Sequence, residues 1–264
     1  MVTGQEKICN LIEKSTLDTF PRSLILVGPS GSGKHLLCNE VARKFQLHVF
    51  DITEMLNIEI IDEIYSKVEP YIYVIRLNEI SVKEENTILK FLEEPLKNSY
   101  IILLAEYTNG VLPTILNRCQ VWHLQNYSKN YLSTFTNGND LLLDIVETPG
   151  QAIALANESF TEMLDLADKM ICKIASASIP NTLSISDKFA WTNEKNKFNY
   201  DLFLKVLLFR LVGYCKGNTD PRLLEYYYLT TKLVKNSQIK NIDKKYLLEK
   251  YLLEARSIMK GSLV

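Results

Sequence analysis

The stretch that most constrains the fold runs from Ser23 to His35, SLILVGPSGSGKH, where an apolar run patterned as a buried strand breaks into a glycine-rich loop ending in lysine. Gly28, Gly31 and Gly33 free the backbone to turn N–H groups inward around an anion, with Ser32 between them. Lys34 has the reach to meet the outer phosphates of a nucleoside triphosphate. A helix expected from Lys34 to about Phe45 carries Leu36, Leu37, Val41 and Phe45 at helical spacing and would add the positive end of its dipole. Strand before and helix after are the context that a phosphate-binding P-loop requires. One part departs from that pattern: the position after the lysine, ordinarily a Ser or Thr whose hydroxyl binds Mg²⁺, is His35. Magnesium takes oxygen ligands at short, near-octahedral distances, and imidazole replaces them poorly. The loop is therefore expected to cradle a phosphate and to be badly equipped for the metal.

Around this loop the pattern alternates. A helix is expected over Gly4–Lys14, strands over Ser23–Val27, His48–Ile52, Tyr71–Leu77, Ser99–Ala105 and Gln120–Leu124, and helices over Ile58–Val68 and Val82–Leu92, the latter stopped by Pro95. Thr108–Arg118 reads as a loop with a short helix. Such alternation implies an α/β fold with a parallel sheet covered on both faces. The third strand, YIYVIRL, should end beside the glycine-rich loop, because ligands of open α/β sheets bind at the carboxyl ends of strands. A nucleoside triphosphatase needs acidic residues there to hold magnesium and orient water. Here Ile75, Arg76 and Leu77 are followed by Asn78 and Glu79, so the acidic pair is absent, and Glu79 reads as a solvated loop residue.

Beyond Leu124 the strand signals vanish. Short helical patterns surround a Thr148-Pro149-Gly150 punctuation, and Phe160–Ala177 reads as a longer amphipathic helix. Ser178–Lys197 reads as a loop or irregular stretch, and Tyr200–Cys215, Pro221–Val234 and Lys244–Lys260 as an all-helical region. The expected division is residues 1–127 as the α/β domain, 128–158 as a small helical lid and 159–264 as a helical collar. Tyr226, Tyr227 and Tyr228 are candidate exposed aromatics for an interface on that collar.

Composition narrows the function. The 264 residues are 47% hydrophobic, enough for one large domain and one or two smaller ones, and the formal net charge of −1 carries no overall pull toward nucleic acid. Cys9, Cys38, Cys119, Cys172 and Cys215 are scattered singly and His35, His48 and His123 lie far apart, so no metal cluster is expected. The N-terminal segment shows no apolar signal core, and no run reaches a membrane span, so the expected location is cytoplasmic with no membrane partner.

Four segments carry a family resemblance. Gly4-Gln5-Glu6 precedes the first helix, and the glycine-rich loop follows at the usual distance. Asn86-Thr87-Ile88-Leu89-Lys90-Phe91-Leu92-Glu93-Glu94-Pro95 matches N-A-L-L-K-x-L-E-E-P, and Leu112-Pro113-Thr114-Ile115-Leu116-Asn117-Arg118-Cys119-Gln120 matches L-P-T-I-x-S-R-C-Q with Asn117 in place of serine. The chain thereby resembles the clamp-loader branch of the AAA+ proteins, most closely its delta-prime type in DNA polymerase III. The resemblance covers about residues 4–155; beyond, only helicity and length agree. It implies a P-loop AAA+ domain, a lid and an all-α collar that holds a heteropentameric ring together. The implied partners are tau- or gamma-like ATPases, a delta-like subunit, a sliding clamp and primer-template DNA. The zinc-binding cysteine module of most members is missing, which makes this a compact relative.

The departures fall on ATP chemistry: His35 replaces the magnesium-binding hydroxyl, Ile75 and Arg76 the acidic pair, and Gly150 the lid arginine that senses nucleotide in motor subunits. The resemblance then implies a non-hydrolysing stator in which Arg118 acts in trans as an arginine finger. No cofactor is required on that reading, and ATP or phosphate is the ligand that Gly28, Gly31, Ser32, Gly33, Lys34 and His35 would hold without hydrolysis. Two alternatives stay open: an active AAA+ motor of a clamp loader or related remodelling complex with His35 and Glu79 as unorthodox ligands, and a P-loop nucleoside kinase or small-molecule transferase, for which Met55–Ile64 supplies no acidic or arginine-rich substrate loop.

Overall fold

The structure is a computed structural model that describes residues 2–67, 69–94, 99–157, 160–191, 197–239 and 242–261. The chain divides into two compact units, residues 1–134 with 147–150, and residues 135–146 with 151–264.

The first unit is built on five parallel strands, β1 (Ser23–Val27), β2 (His48–Asp51), β3 (Tyr71–Arg76), β4 (Tyr100–Ala105) and β5 (Gln120–His123), in the order β2-β3-β4-β1-β5. Its helices are α1 (Glu6–Lys14), α2 (Lys34–Phe45), α3 (Ile58–Ser66), α4 (Val82–Glu93), α5 (Pro113–Leu116) and α6 (Lys129–Ser133). The two-residue period of a strand sends alternate side chains to opposite faces. Leu24, Leu26, Ile72 and Val74 pack with Ile8 and Ile12 of α1 and Leu37 and Val41 of α2 in one core. Ile25, Val27, Tyr73 and Ile75 pack with Ile61 and Ile64 of α3 and Ile88 and Phe91 of α4 in the other. The sheet is thus covered on both faces, as the alternation implies.

Local signals set the element ends. Asn57 caps α3 by accepting from the Ile60 N–H at 2.8 Å. Ser81 and Glu84 form a reciprocal capping box at the start of α4, with the Ser81 N–H donating to Glu84 Oε2 at 2.7 Å. Leu77 leaves the expected third strand and opens a 3₁₀ turn, Leu77–Glu79, which is where β3 stops pairing. Val68, Pro95, Glu158 and residues 192–196 of the expected irregular stretch lie outside the described residues.

The second unit is helical: α7 (Asp140–Ile145), α9 (Phe160–Lys173), α10 (Ile179–Leu183), α11 (Tyr200–Lys216), α12 (Pro221–Ser237) and α13 (Lys244–Lys260). α9 packs on α11, α11 on α12 and α12 on α13. Arg210 donates to both oxygens of Asp168 at 2.8 and 2.7 Å, joining α11 to α9. The Ser178–Lys197 stretch is more regular than expected, because Ser178 caps α10 and a 3₁₀ turn follows over Ser184–Lys188. Tyr226 is fully buried beside Tyr251 in the α12–α13 seam, whereas Tyr228 is 60% exposed. The tyrosine triplet is therefore split by helical periodicity, and Tyr226 is a core residue of the unit.

The Thr148-Pro149-Gly150 punctuation separates α7 from α8 (Pro149–Asn157), which begins at the proline, since proline in a first helical turn has no N–H that needs an intrahelical partner.

Candidate functional site

The glycine-rich loop leaves β1 at a fixed point. β1 is paired on both sides, the Gly28 N–H donates to the Ala105 carbonyl at 3.1 Å, and the Leu124 N–H donates to the Val27 carbonyl at 2.8 Å. Gly31 and Gly33 then take φ of +75° and +89°, a left-handed conformation that glycine adopts without steric penalty. The loop borders a cavity of about 420 Å³ at the carboxyl ends of the strands. Gly31, Ser32, Gly33, Lys34 and His35 line it from the loop, and Arg76, Glu79 and Glu106 line it from the ends of β3 and β4.

The loop's carbonyls are engaged by its own chain. Lys34 Nζ donates to the Gly28 carbonyl and to Pro29 at 2.9 Å. Thr148 Oγ1 donates to the Ser30 carbonyl at 2.8 Å, the Gly150 N–H to Gly31 at 3.0 Å and the Tyr127 hydroxyl to Ser32 at 2.8 Å. Five consecutive carbonyls, Gly28 to Ser32, thus accept hydrogen bonds from Lys34, Thr148, Gly150 and Tyr127. Burial lowers the Lys34 pKa, partly offset by the Glu106 carboxylate. Tyr127 also lies against Gly4: a Cβ there would stand 2.5 Å from the ring, and Gly4 has φ of +84°.

At the end of β3 the arginine occupies the place where a metal-binding acid would work. Arg76 Nε donates to Asp51 Oδ2 at 3.0 Å and Nη1 to Glu79 Oε2 at 2.6 Å. The Thr53 hydroxyl donates to Asp51 Oδ1 at 2.6 Å, and the Arg76 N–H donates to that hydroxyl oxygen at 2.9 Å. His35 Nε2 stands 3.9 Å from Asp51 Oδ2. Glu79 is therefore an ion-pair partner of Arg76 and not merely a solvated loop residue. The donor set fits magnesium poorly: Asp51 and Glu79 face the Arg76 guanidinium, the Glu106 carboxylate acts on Lys34, and the position after Lys34 offers an imidazole. Among the described residues no group of three or more His, Cys, Asp or Glu side chains is placed to hold a metal ion.

Sequence reasoning passed over Asp51 and Glu106. Their signal was positional: each lies at or just beyond the carboxyl end of a parallel strand, where ligand-facing residues of such sheets collect. Burial raises the Asp51 pKa, but the Thr53 hydroxyl and N–H and the Arg76 guanidinium outweigh it and hold the carboxyl below its ordinary value. Its stabilising contribution is therefore complete above the unfolded-state value and lost as pH falls through the lowered one. Asp51→Asn is expected to cost about 1 kcal/mol at neutral pH, a small figure because both members of the Asp51–Arg76 pair keep partial contact with solvent. Urea unfolding should show the two proteins converging in acid; a constant gap would exclude this ionisation as the source.

Arg118 lies elsewhere in the first unit. α5 begins at Pro113 and buries Ile115, and Cys119 packs inward against the same core, its thiol pushed up to about 12 by burial. Arg118, between them, turns outward: Nη1 donates to the Thr114 carbonyl at 2.9 Å and Nη2 to Glu93 Oε1 at 2.6 Å. The Arg118 side chain is 36% exposed and that of Glu93 51%. Gly28 and Arg118 are both absent from the cavity lining, so the structure gathers Gly31, Ser32, Gly33, Lys34 and His35 around one cavity and keeps the arginine apart from it. It also joins the two most specific sequence motifs, since Glu93 belongs to the first and Arg118 to the second.

Comparison with known proteins bears on those two motifs. Residues 61–128 match the family described as DNA polymerase III, delta subunit. The chain is 42% identical over 53 residues to the delta-prime subunit of DNA polymerase III from Haemophilus influenzae, an alignment covering 20% of this chain and 16% of that protein. A solved structure of a DNA polymerase III gamma subunit-related protein from Thermotoga maritima aligns over 96% of this chain and 99% of its own, with 16% identity and a TM-score of 0.49. Among the described residues no helix is long and apolar enough to cross a membrane.

Proposed function

We propose, from the match of residues 61–128 to the DNA polymerase III delta subunit family and the partial likeness to a delta-prime subunit, that this chain is a non-hydrolysing stator of a clamp loader. On this reading it assembles with ATPase subunits and a delta-like subunit, donates Arg118 to an adjacent nucleotide site, and takes part in placing a sliding clamp on primed DNA. Residues 128–158 serve as its lid and 159–264 as the assembly collar. The observation that carries the proposal is Arg76, held between Asp51 and Glu79 where an ATPase needs free acidic residues. Any ATP or phosphate held there stays unhydrolysed.

The purified chain is accordingly expected to show no Mg²⁺-dependent ATP turnover above a blank. Losing metal coordination and water orientation together removes the electrostatic stabilisation on which phosphoryl transfer rests. In a complex reconstituted with ATPase subunits, Lys34→Ala should change turnover by less than about twofold, since no catalytic step passes through it. Steady hydrolysis by homogeneous chain, abolished by Lys34→Ala, would instead establish an active motor.

A further inference from the structure

The contact between Glu93 and Arg118 has the form of a reversible restraint. A guanidinium carries five N–H donors in a rigid fork. Here one is taken by the Thr114 carbonyl, a neutral group at the end of α5, and one by the Glu93 carboxylate at 2.6 Å. The first contact orients the fork without altering its charge. The second sets a full negative charge against a group whose use in phosphoryl transfer depends on presenting a positive one.

The carboxylate comes from a well-anchored backbone. Phe91 and Leu92, just before it on α4, are buried, and the Tyr65 hydroxyl donates to the carbonyls of Lys90 at 3.2 Å and Glu94 at 2.8 Å. Arg118, by contrast, follows a four-residue helix and carries its charge on a long side chain. Extension of Arg118 toward an anion on another subunit would therefore lengthen the pair, with Glu93 held by the end of α4. Both side chains are partly exposed, so their pairing is screened and weak enough for a phosphate dianion to displace.

We propose that Glu93 is a latch on Arg118: it engages the guanidinium in the unassembled or resting state and yields it when the neighbouring site presents a phosphate. This rests on the reading of Arg118 as a finger acting in trans. The latch would keep resting ATP turnover low and make it depend on the stimulus that brings the subunits together.

The test uses the reconstituted complex, assayed for ATP hydrolysis with and without clamp and primed DNA, together with phenylglyoxal labelling of Arg118 in the isolated chain followed by mass spectrometry. Glu93→Gln keeps the side-chain length and removes the charge. It should raise unstimulated turnover about two- to fivefold, leave stimulated turnover nearly unchanged, and speed Arg118 labelling by a similar factor. Raising the salt should bring wild type toward the variant, because screening weakens the pair. In Glu93→Gln with Arg118→Ala the increase should vanish. If Arg118→Ala alone lowers turnover while Glu93→Gln changes neither resting rate nor labelling, the latch is wrong and the finger stands. If Arg118→Ala leaves turnover untouched, the finger reading fails and the latch falls with it.

Discussion

Replacing Arg118 by alanine is expected to lower the clamp- and DNA-stimulated ATPase of the reconstituted complex severely while leaving the isolated chain folded. Arginine fingers are worth about 10³–10⁵ in rate, so the site served by this residue should become nearly silent. The structural cost should be small, about 1 kcal/mol or less, since the variant loses one part-exposed ion pair and one contact to the Thr114 carbonyl. Cys119 and Ile115 anchor the turn from the core side and remain in place. The separation of a large kinetic loss from a small stability loss distinguishes a finger from a surface arginine. Arg118→Lys should not restore activity, because an ammonium keeps the charge without the two-toothed fork. Steady-state hydrolysis, thermal unfolding and gel filtration of the assembled ring decide the matter; undiminished turnover in Arg118→Ala would remove the central claim.

The second large effect is expected at Gly150. A Cβ at this position would stand 2.4 Å from the Gly31 Cα and 2.9 Å from the Gly31 carbonyl oxygen, against backbone that has no side-chain rotamer to yield. The Gly150 N–H donates to that same carbonyl at 3.0 Å, and Thr148 holds the preceding one. Gly150→Ala must therefore push the start of α8 and the loop apart, at about 1–3 kcal/mol. Gly150→Arg, which restores the residue type that the resemblance assigns to motor subunits, should cost more. Urea unfolding gives the stability loss, and hydrogen exchange across residues 28–34 should quicken where the clasp has opened. Unchanged stability with unchanged exchange would mean that the contact is not a close one in solution.

The elements of the first unit were largely legible in the residues. Ser23–Val27 and Lys34–Phe45 have the expected bounds because an all-apolar run, a glycine-rich break and a helical period are local signals. Lys244–Lys260 has the expected bounds for the same reason. Other features depend on the tertiary structure. Only the hydrogen bond from the Gly150 N–H to the Gly31 carbonyl shows where the Thr148-Pro149-Gly150 turn docks. Tyr226 is grouped with Tyr227 and Tyr228 as an exposed aromatic of an amphipathic helix, yet helical rotation places it against Tyr251. Glu79 read as solvated because the position of Arg76 relative to it, and to Asp51, depends on how β3 ends beside β2.

The sequence by itself determined the parallel α/β character of the first unit, the glycine-rich loop ending in Lys34, and the lack of a hydroxyl at His35 and of acids at Ile75 and Arg76. These are properties of residue type and of periodicity over a few positions, which the covalent chain carries with it. Only the tertiary structure decided what fills the gaps: Arg76 shared by Asp51 and Glu79, Tyr127, Thr148 and Gly150 closing on the loop, and Glu93 on Arg118. Most of those partners lie tens of residues apart in sequence. The strand order β2-β3-β4-β1-β5 and the packing of helices on its two faces bring them within hydrogen-bonding distance, and no local periodicity encodes that proximity.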